Sequence, residues 1–563
     1  MEAFFPVSST AAPPISERAA AARWRKLPRT VIAAIVLHAA FAAVTWFVPP
    51  SMNSDSATGF YVWDCWRAGA PWNHMVAPDS ADISRDLSFF QAWWSPGQYL
   101  VTAPWQLLGL SLGHAIALGG FIASVVSLLG FWRLYRTFGF APSCAGRAVL
   151  AGACNWTLTR TYGDYMGGEL ALLAVMPWLV LALRRAFAAD AAWSWVAVPA
   201  LCWIGAMAKN SFVPVAAGLI AGFRGIRLWG RPWVTLGKLA EAGRWAGWFG
   251  LGYLLFWVTY LRLGVSPGLG LGGPVNSDWW ISALRVAGFP LSSVFSLTNV
   301  LGRIFLHPSH PLVASVHALW PLYLLIAVGG SVVLVWLLKQ EFSRRPAWAR
   351  LLVGVLVANL AFYGLVLLWR STGGLEERFL KPVGFLLLPS LVASLYESRP
   401  RWAGQMLCAI LALSSAYGVA SFANRAHYLA ELSNGGRRGT TQNVLSPEAL
   451  RVLHALDSAL PPSALVVVPS PEMTLEIQRV RRLSTHAAMM DTTQLAAQRH
   501  QGRVENLVVL VDDHMLTSGR ARALLDSFTD YSTTTWTVHR YGAWAFYHQG
   551  SFTNWPTPEG LAR

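Results

Sequence analysis

Apolar stretches of nearly twenty residues recur along roughly the first 420 positions, separated by polar, basic or glycine- and proline-rich segments. They fall at about 29–49, 113–133, 142–158, 167–185, 192–208, 211–226, 245–263, 312–338, 350–370, 379–397 and 402–422. A helix needs about 20 apolar residues to cross a bilayer, so the pattern predicts an α-helical polytopic membrane protein with about 11 transmembrane helices. From about 423 the pattern changes. ALVVVPS (464–470), ENLVVLVDD (505–513), TTWTVHRY (534–541) and AWAFYHQ (543–549) read as strands. SPEALRVLHALDSAL (446–460), with Ser446 as cap, and TSGRARALLDSF (517–528) read as amphipathic helices. A small C-terminal α/β domain over 423–563 is expected. Residues 1–28 are rich in Pro, Ala and Arg, carry no cleavable signal pattern, and read as a disordered tail.

The basic residues order these spans. They cluster before the first run (Arg18, Arg23, Arg25, Lys26, Arg29) and in every second loop after it: Arg133, Arg136 and Arg147; Arg184 and Arg185; Arg224 to Arg244; Lys339 to Arg350; Arg399 and Arg401. The positive-inside rule places these loops and the N-terminus in the cytoplasm. The long loops at about 50–112 and 264–311 and the C-terminal domain then face outward, so that domain is extracytoplasmic. WWSPGQYLVTAPWQLLGL (93–110) reads as a helix lying along the outer surface.

Composition agrees. The chain is 54% hydrophobic and 13% charged, against about 25% charged in soluble proteins. The formal charge of +16 is mostly topological, which removes it as a nucleic-acid signal. Five scattered cysteines give neither a disulfide framework nor a metal-like spacing. The 29 tryptophans suit interfacial belts, with some left for stacking on sugar rings. The absence of an internal repeat counts against transporter folds built from duplicated halves.

Four outward-facing stretches carry ionisable groups near membrane level. MNSDSATGFYVWDCW (52–66) holds Asp55 and Asp64; a carboxylate there could act as a general base, or Asp55 could cap a helix starting at Ser56. TYGDYMGGELALLAVMPW (161–178) holds Asp164, and Glu169 at the opening of a span, where an acid also suits a helix N-terminus. Lys209 lies between two apolar runs in WIGAMAKNSFVPVAAGLIAG (203–222), and either meets an anion or marks a turn at the surface. LEERFLKPVGFLLLP (375–389) brings Glu376, Glu377, Arg378 and Lys381, which could also be snorkelling charges at a helix start. Acids early and cations later, all on one face, suit a reaction in which a hydroxyl attacks and a phosphate leaves. His307, His310 and His317 in GRIFLHPSHPLVASVHALW (302–320) are weak metal candidates beside the reading of a Pro-broken turn. Asp512 and Asp513 end a strand and could hold a cation or cap the next turn.

With these residues in order, the chain resembles the C-type (GT-C) glycosyltransferases, such as protein O-mannosyltransferases and the lipid A aminoarabinose transferase. The matching segments are Asp55 in the first outer loop, SPGQYL (95–100), GGELALL (167–173), AKNSFVP (208–214) and ERFLKPVGFLLLP (377–389). The family's acidic pair is Ser54–Asp55 here, its His-Pro-Pro is Trp94–Ser95–Pro96, and the Gly-Pro after its lysine is Asn210–Ser211. The resemblance implies an integral-membrane enzyme that moves a sugar from a polyprenyl-phosphate donor to a hydroxyl of a glycan, lipid or protein acceptor, with inversion. It implies Asp55 as base, with Asp64 as substitute. Glu169, Asp164, Trp94 and Tyr99 would then bind the donor sugar or acceptor, and Lys209, Arg378 and Lys381 the donor phosphate. A divalent cation, Mg or Mn, is compatible with this chemistry. The expected location is a bacterial inner membrane, with a periplasmic C-terminal domain. Two other readings stand beside it: a transporter or flippase of lipid-linked glycans, and an inactive relative that binds cell-wall glycan. A transporter should place its charges near the midplane of several spans, whereas here nearly all lie at span ends.

Overall fold

The structure, a computed structural model, describes residues 27–92, 95–189, 192–228, 236–264, 279–305, 319–368, 376–398, 400–485, 499–531 and 536–556. Among these residues, seven helices are long and apolar enough to cross a membrane. The chain begins with one of them, α1 (Arg29–Phe47), then β1 (Ser51–Met52), α2 (Ser54–Arg67), the hairpin β2–β3 (His74–Asp79, Asp82–Phe90), and two short helices, α3 (Gly97–Leu100) and α4 (Ala103–Leu107). The long surface helix expected over 93–110 is therefore two separate turns. Next come α5 (Leu112–Thr137), α6 (Pro142–Ala153), α7 (Trp156–Arg160), β4 (Asp164–Tyr165) and α8 (Gly167–Ala189). The apolar run at 142–158 is broken where Asn155 caps α7, its side chain accepting from Thr157 N at 3.1 Å.

The runs around Lys209 form α9 (Ser194–Ala208) and α10 (Phe212–Leu228), followed by α11 (Leu236–Thr259). The stretch assigned to the second outer loop holds two further helices, α12 (Trp279–Phe295) and α13 (Leu297–Phe305). α12 packs against the later helices α14 (Trp320–Arg344) and α16 (Lys381–Glu397), burying Val286, Phe289, Val294 and Phe295. It lacked a span's signature because its 17 residues include Arg285 and Pro290; tertiary packing makes it part of the bundle. α15 (Pro346–Leu368) fits against α10, and α17 (Arg401–Leu432) closes the bundle, running beyond the expected boundary at 423. Gly218 and Gly222 on α10 meet Gly354 and Leu351 on α15: a Cβ on Gly222 would lie 2.8 Å from Leu351 Cα. Only glycine allows that approach.

The C-terminal domain contains α18 (Pro447–Ala459), β5 (Leu465–Val468), α19 (Pro471–Thr474), β6 (Arg481–Ser484), β7 (Asn506–Asp512), α20 (Asp513–Thr517), α21 (Arg520–Asp526), β8 (Thr537–Tyr541) and β9 (Trp544–Gly550). Its sheet has the order β6-β5-β7-β9-β8, with β6, β5 and β7 parallel and β9 and β8 antiparallel. The two central strands read as unbroken apolar runs because both faces are covered. Val466, Val468, Val508 and Leu510 meet Leu450, Leu453 and Leu456 of α18; Leu465, Val467, Leu507 and Val509 meet Leu524, Leu525 and Phe528. Ile83 of the β2–β3 hairpin joins the second cluster and donates its N–H to Gln501 O at 2.7 Å, tying the hairpin to this domain. The four expected strands and both expected helices are present; β6, with its arginines, was not anticipated. Ser446 caps α18 through Ala449 N, and Asp512 caps α20, accepting from Met515 N at 2.7 Å.

Candidate active site at the ends of the helices

Asp55, Glu169, Lys209 and Arg378 are far apart in sequence, and the fold joins them in one ion-pair network. Each is delivered by a helix terminus. β1 pairs in parallel with β4, Ser51 opposite Asp164 and Met52 opposite Tyr165, which holds the start of α2 beside the start of α8. Asn53 caps α2, accepting from Asp55 N at 3.0 Å, so Asp55 sits in the first helical turn rather than at the cap. Glu169 lies in the first turn of α8. Both acids face the positive end of a helix dipole.

Lys209 follows α9, with an extended backbone that turns the chain into α10. The turn is packed from the side by the SPGQYL segment. A Cβ on Gly97 would fall 2.2 Å from Ala208 O, and Ser95 Oγ is within bonding reach of Ala206 O (3.1 Å) and of the Asn210 side-chain oxygen. Lys209 is therefore both a turn residue and a charge that meets an anion: its ammonium pairs with Glu169 Oε1.

Arg378 occupies a single 3-10 turn, Glu377–Leu380, ahead of α16. Its guanidinium reaches Asp55 Oδ2 at 2.8 Å, Glu376 Oε2 at 2.8 Å and Glu169 Oε1 at 3.7 Å. It is the centre of the network, linking acids from α2 and α8. Phe379 lies under both cations, 5.6 Å from the Arg378 guanidinium and 5.8 Å from the Lys209 ammonium. Exposure grades across the network. The Glu169 side chain is 6% exposed, Lys209 15%, Arg378 20% and Asp55 30%, so a ligand arriving from solvent would meet Asp55 first.

Other expected site residues lie elsewhere. Lys381 points away from Arg378 and is 1% exposed. Its ammonium donates to Ser293 O (2.8 Å), Ser296 Oγ (2.7 Å) and Glu377 Oε1 (3.0 Å), and Glu377 in turn accepts from Thr298 N at 2.7 Å. Three donors with three acceptors leave nothing for a phosphate, so Lys381 pins α12 and α13 to the turn that carries Arg378. The fallback base Asp64 is corrected likewise. It is buried at the far end of α2, held by Arg438 at 2.6 Å and Arg482 at 3.7 Å, and clamps α2 to the C-terminal domain; burial pushes its pKa up. Asp164 is paired with Arg160 (Nε to Oδ2, 2.9 Å) and braces the β1–β4 pairing. Tyr99 is 1% exposed, donates to Asn73 Oδ1 at 2.9 Å and packs against Trp63, so it supports the site from behind. Trp94, His307, His310 and His317 lie outside the described residues. Among the described residues, no three His, Cys, Asp or Glu side chains gather as a metal would require.

The sequence had given no role to Glu472 of the C-terminal domain. Glu472 sits on α19, which packs on α2, while Leu475 joins the core of Met52, Ala57, Phe60 and Trp63. Burial raises its pKa to about 7, and the charges of Asp164 and Asp55 push the same way. No spacing within the sequence announces such a residue, because the carboxylates that bear on it, Asp164 and Asp55, lie more than 300 positions upstream.

No protein-family model matches the chain, and no curated protein does. Solved structures similar to it include the following two. One is the arabinofuranosyltransferase AftD from Mycobacteria, 14% identical, covering 93% of this chain and 40% of that one, with a TM-score of 0.43. The other is ArnT from Cupriavidus metallidurans bound to undecaprenyl phosphate, 14% identical, covering 91% of this chain and 97% of that one, with a TM-score of 0.41. The chain spans about two fifths of the AftD chain.

Proposed function

We propose that this protein is an integral-membrane glycosyltransferase using a polyprenyl-phosphate-linked sugar, with its site on the outer face and its N-terminus in the cytoplasm. The observation that carries the reading is the convergence of Asp55, Glu169, Lys209 and Arg378, from four distant segments, at the ends of apolar helices. A structural role for four charges at a membrane edge would be met by separate pairs; here one arginine bridges two acids that themselves come from different helices.

The chemistry follows from the positions. An acceptor hydroxyl attacks the anomeric carbon as the bond from that carbon to the phosphate oxygen breaks. Asp55, the most open of the four, takes the hydroxyl proton. The bonding electrons leave with the polyprenyl phosphate, whose growing charge is met by Arg378 and Lys209. Glu169 holds both cations in place before the donor arrives. A single displacement inverts the anomeric centre. The acceptor is a glycan, lipid or protein hydroxyl.

The test uses the leaving group itself. A long-chain polyprenyl phosphate should raise the unfolding temperature of the purified full-length protein, and Arg378→Met and Lys209→Gln should each lose most of that rise. An equal rise in both variants and the parent would remove the phosphate site and the reading with it.

A further inference from the structure

A second feature lies at the opposite end of the bundle. α8 carries Glu169 at its start and Arg184 fifteen residues later, a separation of about 22 Å along the helix axis. Beside Arg184 is a cavity of about 710 Å³, lined by Thr137, Phe138, Arg184, Trp245, Arg344 and Arg345 among others. Trp245 also lines an adjoining cavity of about 570 Å³, whose walls include the small residues Ala217, Ala221, Gly222, Ala246 and Gly354. Both volumes fall within the range of about 300–1,000 Å³ usual for ligand sites.

The first cavity is basic and aromatic. Arg184 donates to Thr137 O at 2.8 Å, with its guanidinium 5.2 Å from the centre of the Phe138 ring. Arg344 and Arg345 share Glu397, at 3.4 Å and 2.7 Å, and Arg345 also pairs with Glu341 at 3.1 Å. Three arginines thus face two carboxylates, and among the described residues no carboxylate pairs with Arg184. The second cavity is mostly apolar, with Arg224 and Arg350 among its lining residues. A basic cavity and an apolar one that share Trp245 as a lining residue, at the ends of apolar helices, have the layout of a charged headgroup followed by a hydrocarbon chain. A planar guanidinium grips phosphate oxygens in pairs.

We propose that the two neighbouring cavities together bind an anionic phospholipid, its phosphate between Arg184 and the Arg344–Arg345 pair and an acyl chain in the space beyond Trp245. Its location on the basic side of the bundle matches the leaflet where anionic headgroups are attracted to Lys and Arg. The site is separate from the Asp55–Arg378 network, so it stands or falls independently of the glycosyltransferase reading.

Native mass spectrometry of the purified full-length protein tests it, with phosphatidylglycerol, phosphatidylcholine of the same chains, and inorganic phosphate as probes. The parent should retain phosphatidylglycerol in preference to phosphatidylcholine. Each basic residue at such a surface contributes about fivefold, so Arg184→Gln with Arg344→Gln should cut that preference by about 30-fold. Ala246→Trp keeps every charge but fills the apolar cavity, and should weaken retention of both lipids; it serves if the arginine variant does not fold. Arg85→Gln, on the exposed β2–β3 hairpin, should change nothing. Equal retention of the two lipids by the parent, or an unchanged preference in the double variant, would overturn the proposal. So would displacement of the lipid by inorganic phosphate at matching concentration, which would mark a free-phosphate site.

Discussion

Replacing Arg378 with methionine isolates the central contact of the network. The substitution preserves bulk and apolar stem while removing the group that touches Asp55 at 2.8 Å and Glu169 at 3.7 Å. Two unit charges 3.7 Å apart attract by about 4–5 kcal/mol at an effective dielectric constant of about 20, before hydration is counted. Little of this should appear as lost stability. Asp55 is 30% exposed and Glu376 52%, so both can turn to water, while Glu169 keeps Lys209. A loss of about 1–2 kcal/mol is expected, between that of an exposed pair and that of a buried pair broken on one side. Catalysis should suffer more. A charged donor aimed at developing negative charge is worth about 2.7–4 kcal/mol, a rate loss of about 10²–10³-fold. Arg378→Lys should recover part of it, because an ammonium cannot hold Asp55 and a phosphate in one fork. The assay is transfer in proteoliposomes, with a panel of polyprenyl-phosphate pentoses and hexoses, alongside urea unfolding of the same preparations. A methionine variant that keeps more than about a tenth of the parent rate would refute the argument. So would a rate loss wholly accounted for by the unfolded fraction.

Asp55→Asn keeps the shape of the side chain and should lower transfer by about 10²–10⁴-fold with donor affinity nearly unchanged, measured in the same assay. Lys381→Met leaves Glu377 charged and 2% exposed, so unfolding should show a loss of about 3–5 kcal/mol. Adding Glu377→Gln should restore much of it, and a silent Lys381→Met would remove the buried-pin role. Glu472 has a pKa raised to about 7, so its protonated form is favoured in the folded chain. The folded state then holds a proton that the unfolded chain releases near pH 4.5, and the associated stability declines as pH rises from about 5 through 7. Glu472→Gln should accordingly gain on the parent by about 1–3 kcal/mol at pH 8 and match it near pH 5. Thermal unfolding at the two pH values checks the sign; a larger gain at low pH would contradict it.

The sequence alone determined the parts of this protein set by solvent. Near-twenty-residue apolar runs need a membrane or a buried bundle whatever their partners, so α1, α5, α8, α14, α15, α16 and α17 were legible as helices. The central strands β5 and β7 were equally plain, since only a sheet covered on both faces accepts unbroken runs of Val and Leu. Asp55, Glu169, Lys209 and Arg378 were legible as charges stranded beside apolar runs. Sequence could not say which of the neighbouring charges faces the site. Arg378 and Lys381 are three residues apart at the entry to α16, yet one meets Asp55 and the other is sealed against Ser293 and Ser296. Asp55 and Asp64 share a helix, yet the second belongs to the joint with the C-terminal domain. α12 was hidden because its short, charge- and proline-bearing run lies among the buried helices through its neighbours' packing. Local periodicity fixes which segments leave water; the direction of a single charge depends on partners hundreds of residues away, and only the folded chain supplies them.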